Sequence, residues 1–169
     1  MAVVFLGLGS NIDKEHHILS GLRALADSFN YQQRSRIFLS EAVGFKGSDF
    51  YNLVVEVTTL QPVETVLAHC KRIEQENGRK PDSAKYSPRS LDIDVLLYDD
   101  MVREKAPQLP RHEITENAFV LWPLAEIAEN RQHPILKKTY GAMWRQYCQQ
   151  PEQQNLTPLE NTDWLKEFA

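Results

Sequence analysis

The sequence is sparing with cysteine, with long apolar runs and with excess charge, and each scarcity removes a class of protein. Two cysteines in 169 residues, Cys70 and Cys148, are too few for a disulfide framework. The simplest compartment for such a chain is the reducing cytoplasm. No apolar run approaches the roughly 20 residues of a membrane-spanning helix. A formal charge of −4 gives no reason to expect nucleic acid as a partner. The first residues, Met1 to Leu6, have neither a basic leader nor a cleavage site and read as a strand. Internal repeats and long low-complexity tracts are absent. What remains is the profile of a soluble globular protein, 42% hydrophobic and 25% charged, most simply one domain.

The most informative stretch is Pro88-Arg89-Ser90-Leu91-Asp92-Ile93-Asp94-Val95-Leu96-Leu97-Tyr98. Leu91, Ile93, Val95 and Leu97 alternate with Asp92 and Asp94, the period of a strand with one apolar face. Leu96 makes its far end apolar on both faces. Side chains at i and i+2 leave the same side of a strand, about 6–7 Å apart. Two carboxylates so placed suit a divalent cation, or two cations sharing a polyphosphate. A solvated strand face carries alternating polar residues as well. Against that reading, the two acids repel each other and no Lys or Arg separates them.

Around this strand the pattern is β-α-β-β-α-β. Ala2 to Leu8 reads as a first strand closed by Gly7-Leu8-Gly9-Ser10-Asn11, where glycine permits a tight turn or close approach to the backbone. A helix follows, with Ile18, Leu19, Leu22, Leu25, Ala26 and Phe29 on one stripe and Asn11 or Asp13 as its cap. Tyr31 to Leu39 and Phe50 to Thr59 are strands joined by the polar loop of Ser40 to Asp49. Pro62 opens a second helix at its first position, Val63, Val66, Leu67, Cys70 and Ile73 form its stripe, and Gly78 ends it. Glu74 lies near the last turn, where the helix dipole disfavours a carboxylate that has no cation nearby. Arg79 to Ser87 is a basic loop, suited to an anionic ligand held through metal. Beyond Pro107 and Pro110, Ile114 to Ala128 is helical and shaped by Pro123, and Arg131 to Ala169 alternates short helical patterns with Gln-rich linkers. The alternation predicts an α+β, ferredoxin-like βαββαβ core, an antiparallel sheet with helices packed on one face. A helical C-terminal extension over 131–169 is expected to pack on the same domain, which spans 1–130.

Gly9-Ser10-Asn11, Phe50-Tyr51-Asn52, Ile73-Glu74 with Gly78-Arg79, the Pro-Arg-Ser-Leu-Asp-Ile-Asp run and Phe119-Val120-Leu121-Trp122-Pro123-Leu124-Ala125-Glu126-Ile127-Ala128 occur in one order and spacing. Over residues 2–130 they closely resemble the 6-hydroxymethyl-7,8-dihydropterin pyrophosphokinase family. The resemblance implies transfer of diphosphate from ATP to a reduced pterin, with release of AMP, in folate synthesis. It implies two Mg²⁺ ions on Asp92 and Asp94, with Arg79 and Arg89 meeting charge on the transferred group. It implies a pterin stacked between Phe50 and Phe119, with Asn52 and the loop residues Ser40 and Val43 on its polar edge. Periodicity alone would have made Phe119 a core residue. On the ATP side it implies Glu74, Lys71, Arg79, Tyr86, Arg89, Val95, Arg111 and His112. The chain departs from the family where Pro110 is followed by Arg111-His112 rather than His, and where Asn117 replaces an Arg two residues before Phe119. The expected partners are small molecules alone, with no membrane or nucleic acid, and the expected state is a monomer. A non-catalytic relative that binds pterin or nucleotide is the other class of function these residues allow.

Overall fold

The computed structural model describes residues 1–41, 49–78 and 90–169. The predicted alternation is present. In order come β1 (Ala2–Ser10), α1 (Lys14–Ser28), β2 (Asn30–Arg34), β3 (Phe38–Ser40), β4 (Phe50–Thr59), α2 (Val63–Glu76) and β5 (Asp92–Tyr98). A 3-10 turn (His112–Thr115), α3 (Ala118–Ile127), α4 (Tyr140–Tyr147), β6 (Leu156–Pro158) and a final 3-10 segment (Asp163–Phe168) follow. The sheet runs β5-β1-β4-β3-β6, with β2 also on β4, and every pairing is antiparallel.

Strand alternation divides the core in two. Val4, Leu6, Leu8, Leu53, Val55, Val57, Ile93 and Val95 face α1 and α2, where Ile18, Leu22, Leu25, Val66, Cys70 and Ile73 bury their stripes. Phe5 and Val54 face the other way and join Leu121 and Leu124 of α3 with Tyr140 and Met143 of α4. The second face is therefore covered by segments that the six-element alternation does not contain. Burying a residue such as Leu22 or Leu124 stabilises the fold by about 1.5–3 kcal/mol each.

Several local expectations change. β1 does not turn at Gly7-Gly9 but continues to Ser10, because β4 and β5 pair with it on both edges and the ladder overrides the low strand preference of glycine. The single strand expected over Tyr31 to Leu39 is broken at Ser35–Ile37. There the Ser35 hydroxyl takes the Val54 N–H at 3.0 Å and itself donates to Arg36 O at 2.7 Å. Pro62 is the N-cap of α2 rather than its first helical residue. Asp13 caps α1 by position only, since its side chain makes no cap bond. In β5 the register slips beside Phe5 and Leu6, so that Leu6 pairs with Val95 and Phe5 with Leu97. Leu96 is the extra residue, and both Leu96 and Leu97 enter the α3-side core, against the strict alternation that put Leu97 with Val95.

The C-terminal segment is woven into this frame. β6 extends the sheet beyond β3, and Leu165 and Phe168 lie in the core under α1 and α2.

Candidate active site

Residues that face each other across an antiparallel ladder share a face of the sheet. Asp92 is opposite Gly9, and Asp94 is opposite Gly7. On the other edge of β1, Gly9 is opposite Asn52 and Gly7 is opposite Val54. The α3-side face thus carries two half-buried acids, a glycine stripe, and then Asn52 with Phe50 two residues before it. The glycines are not needed for backbone conformation. A Cβ on Gly9 would stand 3.5 Å from Asn52 Oδ1 and 3.7 Å from Phe50 Cδ1, and one on Gly7 3.5 Å from Leu96 Cδ1, which are ordinary contacts. What the missing side chains leave is a floor on which a flat molecule can lie between Asn52 and the acids.

Asn52 is buried, and its Nδ2 donates to Ser40 Oγ at 2.7 Å. This bond fixes the amide by occupying one of its donors, so the orientation of Asn52 is set before any ligand arrives. Phe50 and Phe119 are half-buried, and neither belongs to the two core clusters. Phe119 is the second residue of α3, in its first turn. The periodicity that favoured a core role for it is not realised.

On the outer edge of β5 a groove of about 390 Å³ runs between α2 and the 103–111 segment. Lys71, Cys70 and Glu74 of α2, Ile93 and Val95 of β5, and Arg103, Lys105 and Arg111 line it. Glu74 Oε2 accepts the Ile93 N–H at 2.9 Å. Arg111 donates from Nε to Val95 O at 3.1 Å, while its Nη2 lies 3.7 Å from Asp94 Oδ1. Arg111 therefore joins the groove to the acid pair. Burial pushes the Cys70 thiol up to about 12, helped by the Glu74 and Asp94 carboxylates and opposed by Arg111. It stays a thiol and is no nucleophile at neutral pH. His112 is exposed beside the groove, with Nε2 3.2 Å from Glu113 Oε1 and 3.7 Å from Glu116 Oε2.

Residues 5–129 match the family model described as 7,8-dihydro-6-hydroxymethylpterin-pyrophosphokinase (HPPK). The chain belongs to this family. It is 37% identical over 141 residues to the 2-amino-4-hydroxy-6-hydroxymethyldihydropteridine pyrophosphokinase of Aquifex aeolicus, covering 82% of this chain and 88% of that protein. To the pyrophosphokinase of Porphyromonas gingivalis it is 31% identical over 135 residues, covering 76% of this chain and 92% of the relative. Among solved structures, the Plasmodium falciparum HPPK-DHPS wild type with SDX-DHP matches with a TM-score of 0.66 at 15% identity. That match covers 87% of this chain and 44% of the longer one, and it speaks for the fold.

Of the residues assigned to the pyrophosphokinase site from the sequence, Lys71, Glu74, Val95 and Arg111 meet in one groove. Asp92 and Asp94 share the glycine floor with Asn52, which bonds Ser40. Val43, Arg79, Tyr86 and Arg89, with the basic loop itself, lie outside the described residues. Gly7 and Gly9 are the feature that sequence reasoning misplaced. They read as a turn, and the signal that could have corrected this was the apolar alternation of Val4, Leu6 and Leu8 running straight through them. Among the described residues no helix is long and apolar enough to cross a membrane.

Among the described residues, likewise, no group of three or more His, Cys, Asp or Glu side chains could hold a metal ion alone. Two carboxylates beside a cationic groove are instead a donor set that suits Mg²⁺, an ion that keeps waters and takes one or two carboxylates. The residues fit the ion.

Proposed function

We propose that this chain is an ATP-dependent pyrophosphokinase of folate biosynthesis, which transfers diphosphate from ATP to the hydroxymethyl group of 6-hydroxymethyl-7,8-dihydropterin and releases AMP. The observation that carries the proposal is the placing of Asp92 and Asp94 between two unlike sites. On one side is the glycine floor with Asn52. On the other is the groove of Lys71, Glu74, Val95 and Arg111. A flat heterocycle suits the first and a polyanion the second.

In this reading Asn52, held by Ser40, meets the polar edge of the pterin, with the backbone near Val43. Phe50 and Phe119 stack on its two faces, an arrangement that contributes through both area and ring geometry. The stacked ring then directs its hydroxymethyl group along the floor toward β5. ATP lies in the groove with its base against Val95 and its phosphates toward Asp94 and Arg111, with His112 at the rim. Asp92 and Asp94 would hold two Mg²⁺ ions, which neutralise phosphate charge and lower the pKa of the attacking hydroxyl. The hydroxyl oxygen gives up its proton to solvent and bonds to the β-phosphorus as the bond from that phosphorus to the α–β bridging oxygen breaks, and AMP leaves. Arg111, with Arg79, Tyr86 and Arg89 from the preceding loop, meets the developing charge. Guanidinium groups suit this task by their planar fork. Holding the two substrates in line supplies much of the acceleration.

We take the active form to be a cytoplasmic monomer whose pyrophosphokinase domain spans 1–130, with 131–169 as its extension. Cys70 and Cys148 are free thiols, as a reducing compartment leaves them.

Phosphorus NMR of a mixture of enzyme, ATP, Mg²⁺ and the dihydropterin tests the reaction class. AMP and a pterin diphosphate should appear in equal amounts and only when the pterin is present. ADP or free phosphate as the main product would overturn the proposal.

A further inference from the structure

The chain beyond residue 129 lies outside the family match, yet it returns to the site. Gln154 Oε1 accepts the Ala118 N–H at 2.7 Å, and Gln154 Nε2 donates to Asn117 Oδ1 at 3.3 Å. Ala118 is the first residue of α3, and Asn117 is its N-cap, whose own side chain makes no bond into the helix. A first-turn N–H has no partner within its helix, so an acceptor from elsewhere fixes the direction in which the helix starts. Phe119 is the next residue.

Gln154 is itself held from two sides. Its backbone N–H donates to Tyr147 Oη at 2.7 Å. The Tyr147 ring stacks on Trp144 (centroids 5.4 Å apart, planes at 14°), and Trp144 stacks on Trp122 of α3 (4.9 Å, 13°). Two residues after Gln154, β6 begins, with Leu156 opposite Ser40. Ser40 is the residue that orients Asn52. The stretch 154–156 thus touches both walls of the pterin cleft, the start of α3 and the end of β3.

We infer that Gln154 is a positioning residue for the pterin, setting the first turn of α3 so that Phe119 faces the sheet at stacking distance from a bound ring. The inference rests on the reading that Phe119 stacks the pterin. In this reading Gln154 acts through Phe119 rather than on substrate, and it does not line the groove, so its influence should fall on one substrate only.

Removing the tail would strip Leu165 and Phe168 from the core, so point variants are the proper test. Gln154→Ala loses both bonds. Gln154→Glu keeps an acceptor for the Ala118 N–H, and the Asn117 amide can rotate to donate to it. Steady-state kinetics should give Gln154→Ala a pterin KM raised about three- to tenfold, the worth of a neutral hydrogen bond, with the ATP KM unchanged. Gln154→Glu should return the pterin KM to within about twofold of the unaltered protein. Gln153→Ala is the control, because among the described residues the Gln153 amide bonds only Cys148 O and Gln150 O, within its own turn.

An unchanged pterin KM in Gln154→Ala would overturn the inference. So would equal rises for both substrates, or a Glu variant as impaired as the Ala variant, since these are the marks of general loosening. Phe119→Ala measured beside them separates the two levels. If Phe119→Ala raises the pterin KM and Gln154→Ala does not, only the positioning role falls. If Phe119→Ala has no effect, the stacking reading falls and takes the positioning role with it.

Discussion

Glu74 Oε2 accepts the backbone N–H of Ile93, the residue that separates Asp92 from Asp94, at 2.9 Å. Among the described residues β5 is the last strand on its side of the sheet, and there this N–H meets no neighbouring strand. A carboxylate from the end of α2 meets it instead, and the backbone between the two acids is pinned to the helix. A charge that looked costly near a helix C-terminus therefore has a structural partner. Glu74→Ala should leave the amide without its acceptor and lower stability by about 1–3 kcal/mol in urea unfolding. Glu74→Gln, which keeps a carbonyl acceptor, should recover most of the loss. Equal losses in both variants would show that the bond to Ile93 is not what matters.

The glycine floor makes a separate prediction. A Cβ at Gly9 meets only ordinary contacts, with Asn52 Oδ1 at 3.5 Å as the nearest. Gly9→Val should fold, with a melting temperature close to that of the unaltered protein, since a β-branched residue suits a central strand. Its methyl groups would occupy the space above the floor, an overpacking that should weaken pterin binding by at least about tenfold. Direct binding measured by pterin fluorescence checks this. Undiminished binding in a folded Gly9→Val protein would mean that the pterin lies elsewhere.

His133 gives a pH dependence of stability. It is buried, and its Nδ1 accepts the N–H groups of Ile135 at 3.2 Å and Leu136 at 3.1 Å. Burial holds its pKa below the ordinary value of 6.5. The unfolded chain therefore takes up the proton first as pH falls. The stability contributed by neutral His133 is complete above about pH 6.5 and is lost as the pH drops from there through the folded-state value. Thermal unfolding between pH 8 and pH 5 should show this decline, and His133→Asn should flatten it. Parallel curves for the two proteins would remove His133 as the cause.

Much of this arrangement was legible in the sequence because it is periodic. The strand pattern of Ile93 and Val95 against Asp92 and Asp94 fixes which side chains share a face, and the stripe of Val66, Cys70 and Ile73 fixes which face of α2 is buried. What was not legible depends on partners far along the chain. The break at Ser35 reflects a hydroxyl that replaces a ladder partner of Val54, and the slip at Leu96 reflects how β5 meets Phe5 and Leu6. The Gln-rich tail showed no chemistry because the value of Gln154 lies in an amide of Ala118, 36 residues away. Local pattern carries no trace of such a bond.

The most direct test is AMP formation by the unaltered protein and by a variant carrying both Asp92→Asn and Asp94→Asn. These substitutions keep side-chain size and hydrogen-bonding capacity while removing the two charges over the glycine floor. The variant should remain folded, still bind the pterin, and lose pterin-dependent AMP formation by on the order of 10³-fold or more, with no recovery at high Mg²⁺. AMP formation at an undiminished rate would place the chemistry away from β5 and contradict the assignment of this site.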